Sequence, residues 1–268
     1  MYHSEQIRIH KPADFAAMRR AGALASRVLD MLHPHVRAGT STRQLDRLAY
    51  EFILKHGALP ATLYYRGYSA CLCTSVNHVV CHGIPNDRAL ARGDMLNIDV
   101  TIVLDGWHGD HSRMFSVGTP PVKARRLMDA CHRAMMAGIA AVKPNACFGD
   151  IGAAIQAEAR RAGCTIVEEF CGHGIGQEFH SAPNVLHYGQ PQTGARLMPG
   201  MFFTIEPMVN LGRRDVKILA DGWTAVTRDR SLSAQYEHSV GVTEEGCEIF
   251  TRSPAGLDMP HTQPADAS

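Results

Sequence analysis

The 268 residues carry 27 basic and 26 acidic side chains, a net charge of +1, so bulk charge gives no reason to expect affinity for nucleic acid. No run of 18 apolar residues occurs, and the opening eight residues have neither a basic n-region nor an apolar h-region, so neither a membrane span nor an export signal is expected. The length is enough to bury a core without staples, and the eight cysteines show neither Cys-x-x-Cys nor a compact secreted framework, which points to reduced thiols in a cytoplasmic protein.

From Pro12 to about His33 the apolar residues Phe15, Met18, Ala21, Ala25, Val28, Leu29 and Leu32 have helical spacing, with proline in the first turn and Pro34 as the stop. Ser41 followed by Gln44 is a capping-box pattern. Leu45, Leu48, Ala49, Phe52 and Ile53 then form the stripe of a second helix ending at Gly57. Short segments follow: a tyrosine-rich stretch over 62–70, a strand over 71–77, and 79–85 running into a loop at Asn86 and Asp87. In 97–110, Ile98, Val100, Ile102 and Leu104 alternate with Asp99, Thr101 and Val103, and Asp105-Gly106 reads as a two-residue hairpin turn. A hairpin closed there sets Leu104 against Trp107 and Thr101 against Asp110. Asp99, Thr101 and Asp110 then share one face, with the backbones of Asp99 and Asp110 about 7 to 8 Å apart on the diagonal.

The pattern then repeats. A long amphipathic helix is expected from Pro121 to about Val142 and a shorter one from Asp150 to Ala162, ending at Gly163. At an offset of 106 to 107 positions Leu45 falls on Ile151, Gly57 on Gly163 and Asp99 on Glu206. Two halves, about 12–116 and 121–250, each a helix pair plus antiparallel strands, would close on each other and bring both acids into the shared crevice. The expected organisation is one catalytic domain over 1–253, with 254–268, rich in Pro, Ala and Asp, as a disordered tail.

Beyond the two aspartates, the residues able to carry chemistry are His82, His173, His180, Glu206 and Glu237. His173 lies between glycines. Glu206 follows the apolar run Phe202-Phe203-Thr204-Ile205, where an unpaired carboxylate is costly. Four carboxylates and one imidazole form an oxygen-rich donor set without thiolate, suited to Mn, Fe or Co and tolerant of Zn. Two such ions bridged by carboxylates are the arrangement of hydrolytic two-metal sites, which points to hydrolysis.

These residues sit in motifs that resemble the type I, bacterial-kind methionine aminopeptidases of the pita-bread metallopeptidases. They are Val-Cys-His-Gly-Ile-Pro (80–85), Asn-Ile-Asp-Val-Thr (97–101), Gly-Asp-His-Ser-Arg-Met-Phe (109–115), Cys-Gly-His-Gly-Ile-Gly (171–176), Phe-Thr-Ile-Glu-Pro-Met (203–208) and Ser-Leu-Ser-Ala-Gln-Tyr-Glu-His (231–238). The resemblance implies an α+β pita-bread fold: two pseudo-symmetric halves of antiparallel sheet with helices on the outer side. It implies that Asp99, Asp110, His173, Glu206 and Glu237 hold two divalent ions (Co, Mn, Fe or Zn), with Asp110 and Glu237 bridging. It implies removal of the N-terminal methionine from nascent polypeptides, favouring a small second residue. In that chemistry a metal-bridged hydroxide attacks the methionine carbonyl, Glu206 acts as base then acid, His180 faces the oxyanion and His82 the scissile nitrogen. Tyr65, Tyr68, Cys73, Phe179 and Trp223 match the methionine side-chain pocket, and Asn77, Val79 and Ser233 match a monovalent-cation site. The implied partners are polypeptide N-termini, with any ribosome association through the domain's own surface; no nucleic-acid site and no membrane are expected, and the chain is taken as a monomer.

The sequence departs from the family pattern at Thr62, where a small thiol is usual, at His111, where Thr is usual, at His78, where an acid is common, and at Ser181 and Ala182. On the hairpin register His111 faces away from Asp110 and is not counted as a ligand. Two rival readings are a peptidase of the same architecture that cleaves before proline, and a metal-free binding protein on the same fold.

Overall fold

In the computed structural model the described residues are 6–260. Helix α1, Pro12–Leu32, starts on proline, and the Asp14 carboxylate accepts from the Lys11 amide. Its buried stripe of Met18, Ala21, Leu24, Ala25, Val28, Leu29 and Leu32 is the one the spacing predicts, and a short 3₁₀ turn at His33–His35 carries Pro34. Helix α2, Thr42–Lys55, has the expected reciprocal cap: the Gln44 amide donates to Ser41 Oγ at 3.2 Å and the Ser41 amide to Gln44 Oε1 at 2.8 Å. Gly57 follows it at φ +72°, a conformation glycine adopts without steric cost.

Helices α3, Val122–Ala140, and α4, Phe148–Arg161, form the second pair. Helix α4 begins two residues before the expected Asp150. The reason is local: Asp150 is the third residue of the helix, and its carboxylate reaches back to accept from the Cys147 amide at 2.7 Å. The acid caps from inside the first turn.

Both helix pairs lie against one antiparallel sheet of nine strands. Its central hairpin, Met95–Leu104 and Trp107–Ser116, has the register read from the turn: Leu104 pairs with Trp107, Thr101 with Asp110 and Asp99 with Ser112, with no slip between them. Strand Trp107–Ser116 pairs with Glu237–Val242, which pairs with Phe202–Ile205, which pairs with Gly172–Gly174. The contact between Trp107–Ser116 and Glu237–Val242 is the seam joining the two halves.

One face of the sheet is apolar and carries the helices. Ile98, Val100 and Ile102 pack under α1 and α2, and Phe203, Ile205 and Val240 pack under α3 and α4, so each half has its own core. Each such side chain contributes about 1.5–3 kcal/mol by leaving water. Helix α1 lies hard on the hairpin: a Cβ at Gly109 would stand 2.4 Å from the Ala21 carbonyl oxygen.

The segment after 253, expected to be a disordered tail, is ordered through 260. Arg113 Nη1 donates to the Leu257 carbonyl at 2.9 Å, Arg113 Nη2 to Asp30 at 2.7 Å, and the Asp258 carboxylate accepts from the Ser253 amide. Composition does not reveal a segment held through its backbone by a distant arginine. Residues 261–268 of the expected tail, and 1–5 of the expected domain, lie outside the described residues.

Candidate metal centre

The polar face of the sheet carries the acids. In the order of the strands, Asp99 stands on Met95–Leu104, Asp110 on Trp107–Ser116 and Glu237 on the next strand. Glu206 comes immediately after Phe202–Ile205, and His173 lies on Gly172–Gly174. Five neighbouring strands thus present one donor each. Period-two alternation keeps them on one side, because Asp99 and Glu237 both pair with Ser112 and Ser239 pairs with Thr204.

Donor atoms of Asp110, His173 and Glu237 lie within 4.8 Å of one another. His173 Nε2 is 3.6 Å from Asp110 Oδ2 and 3.6 Å from Glu206 Oε1. Asp99 and Glu206 line the same cavity, of about 550 Å³. Neighbouring hydroxyls hold the acids in place: Thr101 Oγ1 donates to Asp110 Oδ1 at 2.7 Å, and Thr204 Oγ1 donates to Glu206 Oε1 at 2.7 Å while accepting from the His173 amide at 3.0 Å. Gln235 Nε2 reaches Glu206 Oε2 at 3.4 Å, and the Glu206 amide donates to His187 Nε2 at 3.1 Å. Thr204 and Gln235 stand two residues before Glu206 and Glu237, so the strand period marks them as neighbours. His187 sits in a loop, with no such mark.

Burial, reinforced by the other carboxylates, holds Asp99, Glu206 and Glu237 well above the usual carboxylate range, and burial pushes Asp110 up to about 7. Burial lowers His173 to about 4, leaving its ring neutral and able to ligate. Four acids this close cannot all ionise beside one another unless a cation compensates them. The donor set therefore fits divalent metal.

The opposite wall is aromatic. Tyr65 lies 4.8 Å from Phe179 and Tyr68 5.1 Å from Trp223, ring centre to ring centre, and Cys73, Thr62 and Met208 complete the lining with the two pairs. Cys73 pairs in register with Asp99, so the aromatic slot and the acidic wall meet at one cross-strand pair. His82 and His180 also line the cavity. His180 packs against Tyr65 and His173, and burial lowers it to about 3; burial lowers His82 as well. Arg66, Glu169, Phe170 and Asn184 also line the cavity, none of them singled out by the sequence.

The three residues matched to a monovalent cation lie elsewhere. The Ser233 amide donates to the Asn77 carbonyl at 2.9 Å, Ser233 Oγ is buried without a hydrogen-bond partner among the described residues, and Val79 begins the strand Val79–Cys81. His111 is on the helix side of the sheet, as its register requires, hydrogen-bonded to Ser26.

A sheet that brings four carboxylates and an imidazole into one cavity, with helices on its far side, defines a metal-dependent enzyme. The model of metallopeptidase family M24 matches residues 16–244, and the chain belongs to that family. It is 52% identical over 255 residues to the methionine aminopeptidase of Rickettsia prowazekii (strain Madrid E), covering 95% of this chain and 98% of that one. A crystal structure of methionine aminopeptidase from Rickettsia prowazekii superposes with a TM-score of 0.91 at 51% identity, over 92% of this chain and 100% of that one. Methionine aminopeptidase from Thermotoga maritima gives a TM-score of 0.90 at 34% identity over 92% and 99% of the two chains. Prolidase from Pyrococcus furiosus shares the fold, at 19% identity and a TM-score of 0.72, and this chain covers 91% of itself but only 65% of that chain. The α+β pita-bread fold implied by the motifs is the fold of this chain.

Proposed function

We propose that this enzyme removes methionine from the amino terminus of polypeptides, favouring a small second residue, with Asp99, Asp110, His173, Glu206 and Glu237 holding two divalent ions. The observation that carries this reading is the register pair Cys73 and Asp99. A side chain filling the aromatic slot brings its own backbone to the acidic wall, so the residue recognised is the residue cut off. The names of the relatives at 52% and 34% identity support the same activity.

The ions would supply a water of lowered pKa and a Lewis acid toward the carbonyl. Glu206, held by Thr204 and Gln235, takes a proton at its carboxylate and returns it to the leaving nitrogen. Burial among the other acids raises its pKa. His180, neutral because it is buried, donates an N–H to the developing oxyanion, and His82 contacts the nitrogen of the scissile bond. Tyr65, Tyr68, Cys73, Phe179 and Trp223 exclude water from the slot and favour a thioether, each sulfur–aromatic contact contributing about 0.3–1.5 kcal/mol. Asn77, Val79 and Ser233 would hold a monovalent cation, the orphaned Ser233 hydroxyl serving as one donor.

The test is peptide hydrolysis by chelated protein after readdition of Mn²⁺, Fe²⁺, Co²⁺ or Zn²⁺ singly. Met-Ala-led peptides should be cleaved only with metal restored, and Met-Leu-led peptides far more slowly. Preferential release before proline, or activity indifferent to chelation, would overturn the proposal. Action on nascent chains in the cytoplasm, as a monomer, is part of the same reading.

A further inference from the structure

On the back of the seam, directly behind Asp110 and Glu237, stand His111 and His238. The two pair in register across the strands, their rings stacked with centres 4.9 Å apart. Asp258 joins them from the ordered tail, and one donor atom from each of the three lies within 4.8 Å of the others. We propose that His111, His238 and Asp258 form a second divalent-metal site, separate from the catalytic cavity, taking a zinc-class ion that fastens the carboxyl-terminal segment to the sheet.

Hydrogen bonding fixes the chemistry of His111. Ser26 Oγ has one proton, and it donates that proton to the Thr251 carbonyl at 2.6 Å, so toward His111 Nδ1, 2.9 Å away, it accepts. His111 Nδ1 therefore carries the ring proton, and Nε2 is left with a lone pair. That Nε2 is buried and has no hydrogen-bond partner among the described residues, on a residue with no exposed surface. A buried acceptor without a partner costs about 1–3 kcal/mol, and a ligated cation would remove that penalty. His238 Nδ1 lies 2.9 Å from Thr251 Oγ1, which accepts from the Ser239 amide at 3.1 Å, and this contact fixes the orientation of the ring.

Two imidazoles and a carboxylate are a donor set that suits Zn²⁺. Donors bound tetrahedrally at about 2.0–2.1 Å lie roughly 3.3 Å apart, so the three must draw together. Asp258 is only partly buried, and both its oxygens accept from the Ser253 amide, at 2.9 and 3.0 Å, so ligation would draw the carboxylate away from that amide. Arg113 donates to Asp30 at 2.7 Å, and a ligated ion would add its charge to those of Arg113 and Arg252 beside the Asp258 carboxylate.

The test uses the full chain, stripped by chelation and titrated with Zn²⁺, with bound metal counted by elemental analysis. Asp258→Ala and His111→Gln should each bind one equivalent fewer than the wild type, and Asp258→Ala should keep its metal-restored peptide hydrolysis. Hydrogen exchange at 253–259 should slow on zinc addition in the wild type and not in Asp258→Ala. Cu²⁺ as a probe should give a resonance with two-nitrogen splitting that His111→Gln loses. Equal metal counts in all three proteins would overturn the proposal. So would an Asp258→Ala protein whose metal count and hydrolysis fall together, since the tail would then act on the catalytic centre. Failure of the peptide-cleavage reading leaves the count of this second site unaffected.

Discussion

Thr101 and Thr204 each give their only hydroxyl hydrogen to an acid of the centre. Replacing Thr101 by the near-isosteric valine removes a charge-assisted bond of about 1.5–3 kcal/mol and frees Asp110 to rotate. Thr101→Val is expected to fold normally and to lose about 10- to 100-fold in metal affinity, measured by competition with a chelator. An unchanged affinity would remove Thr101 from the positioning of Asp110. His180→Ala should instead keep its metal and lose about 10²- to 10³-fold in kcat on a Met-Ala-led peptide; near-full turnover would refute its role at the oxyanion. Glu206 was conspicuous in the sequence because a carboxylate after an apolar run demands an explanation, and His173 because glycines flank it, whereas nothing local marked Glu237. The threonines drew no such attention, since a hydroxyl in a strand is unremarkable until its neighbour is known to need a donor.

At the level of elements, the local signals were direct. The turn at Asp105-Gly106 set the hairpin register, and the Ser41 and Gln44 cap set the start of α2. Side-chain capping from within the helix hid the true start of α4, because Asp150 reads equally well as a first residue or a third. Packing between elements is sharper still. Gly109 faces the Ala21 carbonyl so closely that Gly109→Ala must push α1 from the hairpin, and a loss of about 1–3 kcal/mol is expected in urea unfolding. A variant as stable as the wild type would mean that α1 slides without cost.

Across the whole molecule, the repeat in the sequence announced two halves but not how they join. The seam between Trp107–Ser116 and Glu237–Val242 depends on residues far apart in the chain, and no local pattern encodes such a pairing. Acid sensitivity is also a property of the whole fold. His10, His33 and His132 are all held neutral, chiefly by burial, so below their ordinary 6.5 the unfolded chain takes up protons that the folded chain refuses. Their contribution to stability is complete above pH 6.5 and is lost as the pH falls. His10, stacked on Phe202 at 4.2 Å between Arg8, which lowers it further, and Asp14, which opposes the shift, is the place to check this. His10→Phe keeps the stack and removes the proton uptake, so it should lose less stability than the wild type between pH 6.5 and 5. Parallel unfolding curves for the two proteins at both pH values would contradict the account.

The donors stand on four adjacent strands and just past the end of a fifth, yet in the chain they run from residue 99 to residue 237. A chain emerging from synthesis with only its first half complete carries Asp99 and Asp110 and nothing more of the set. High contact order makes such an assembly slow, and the ion can be held only after the last long-range pairing has formed. Metal is therefore expected to act as a latch and not as a nucleus. In stopped-flow experiments added Mn²⁺ should leave the refolding rate unchanged and slow unfolding, and faster refolding would show that the centre forms before the seam closes.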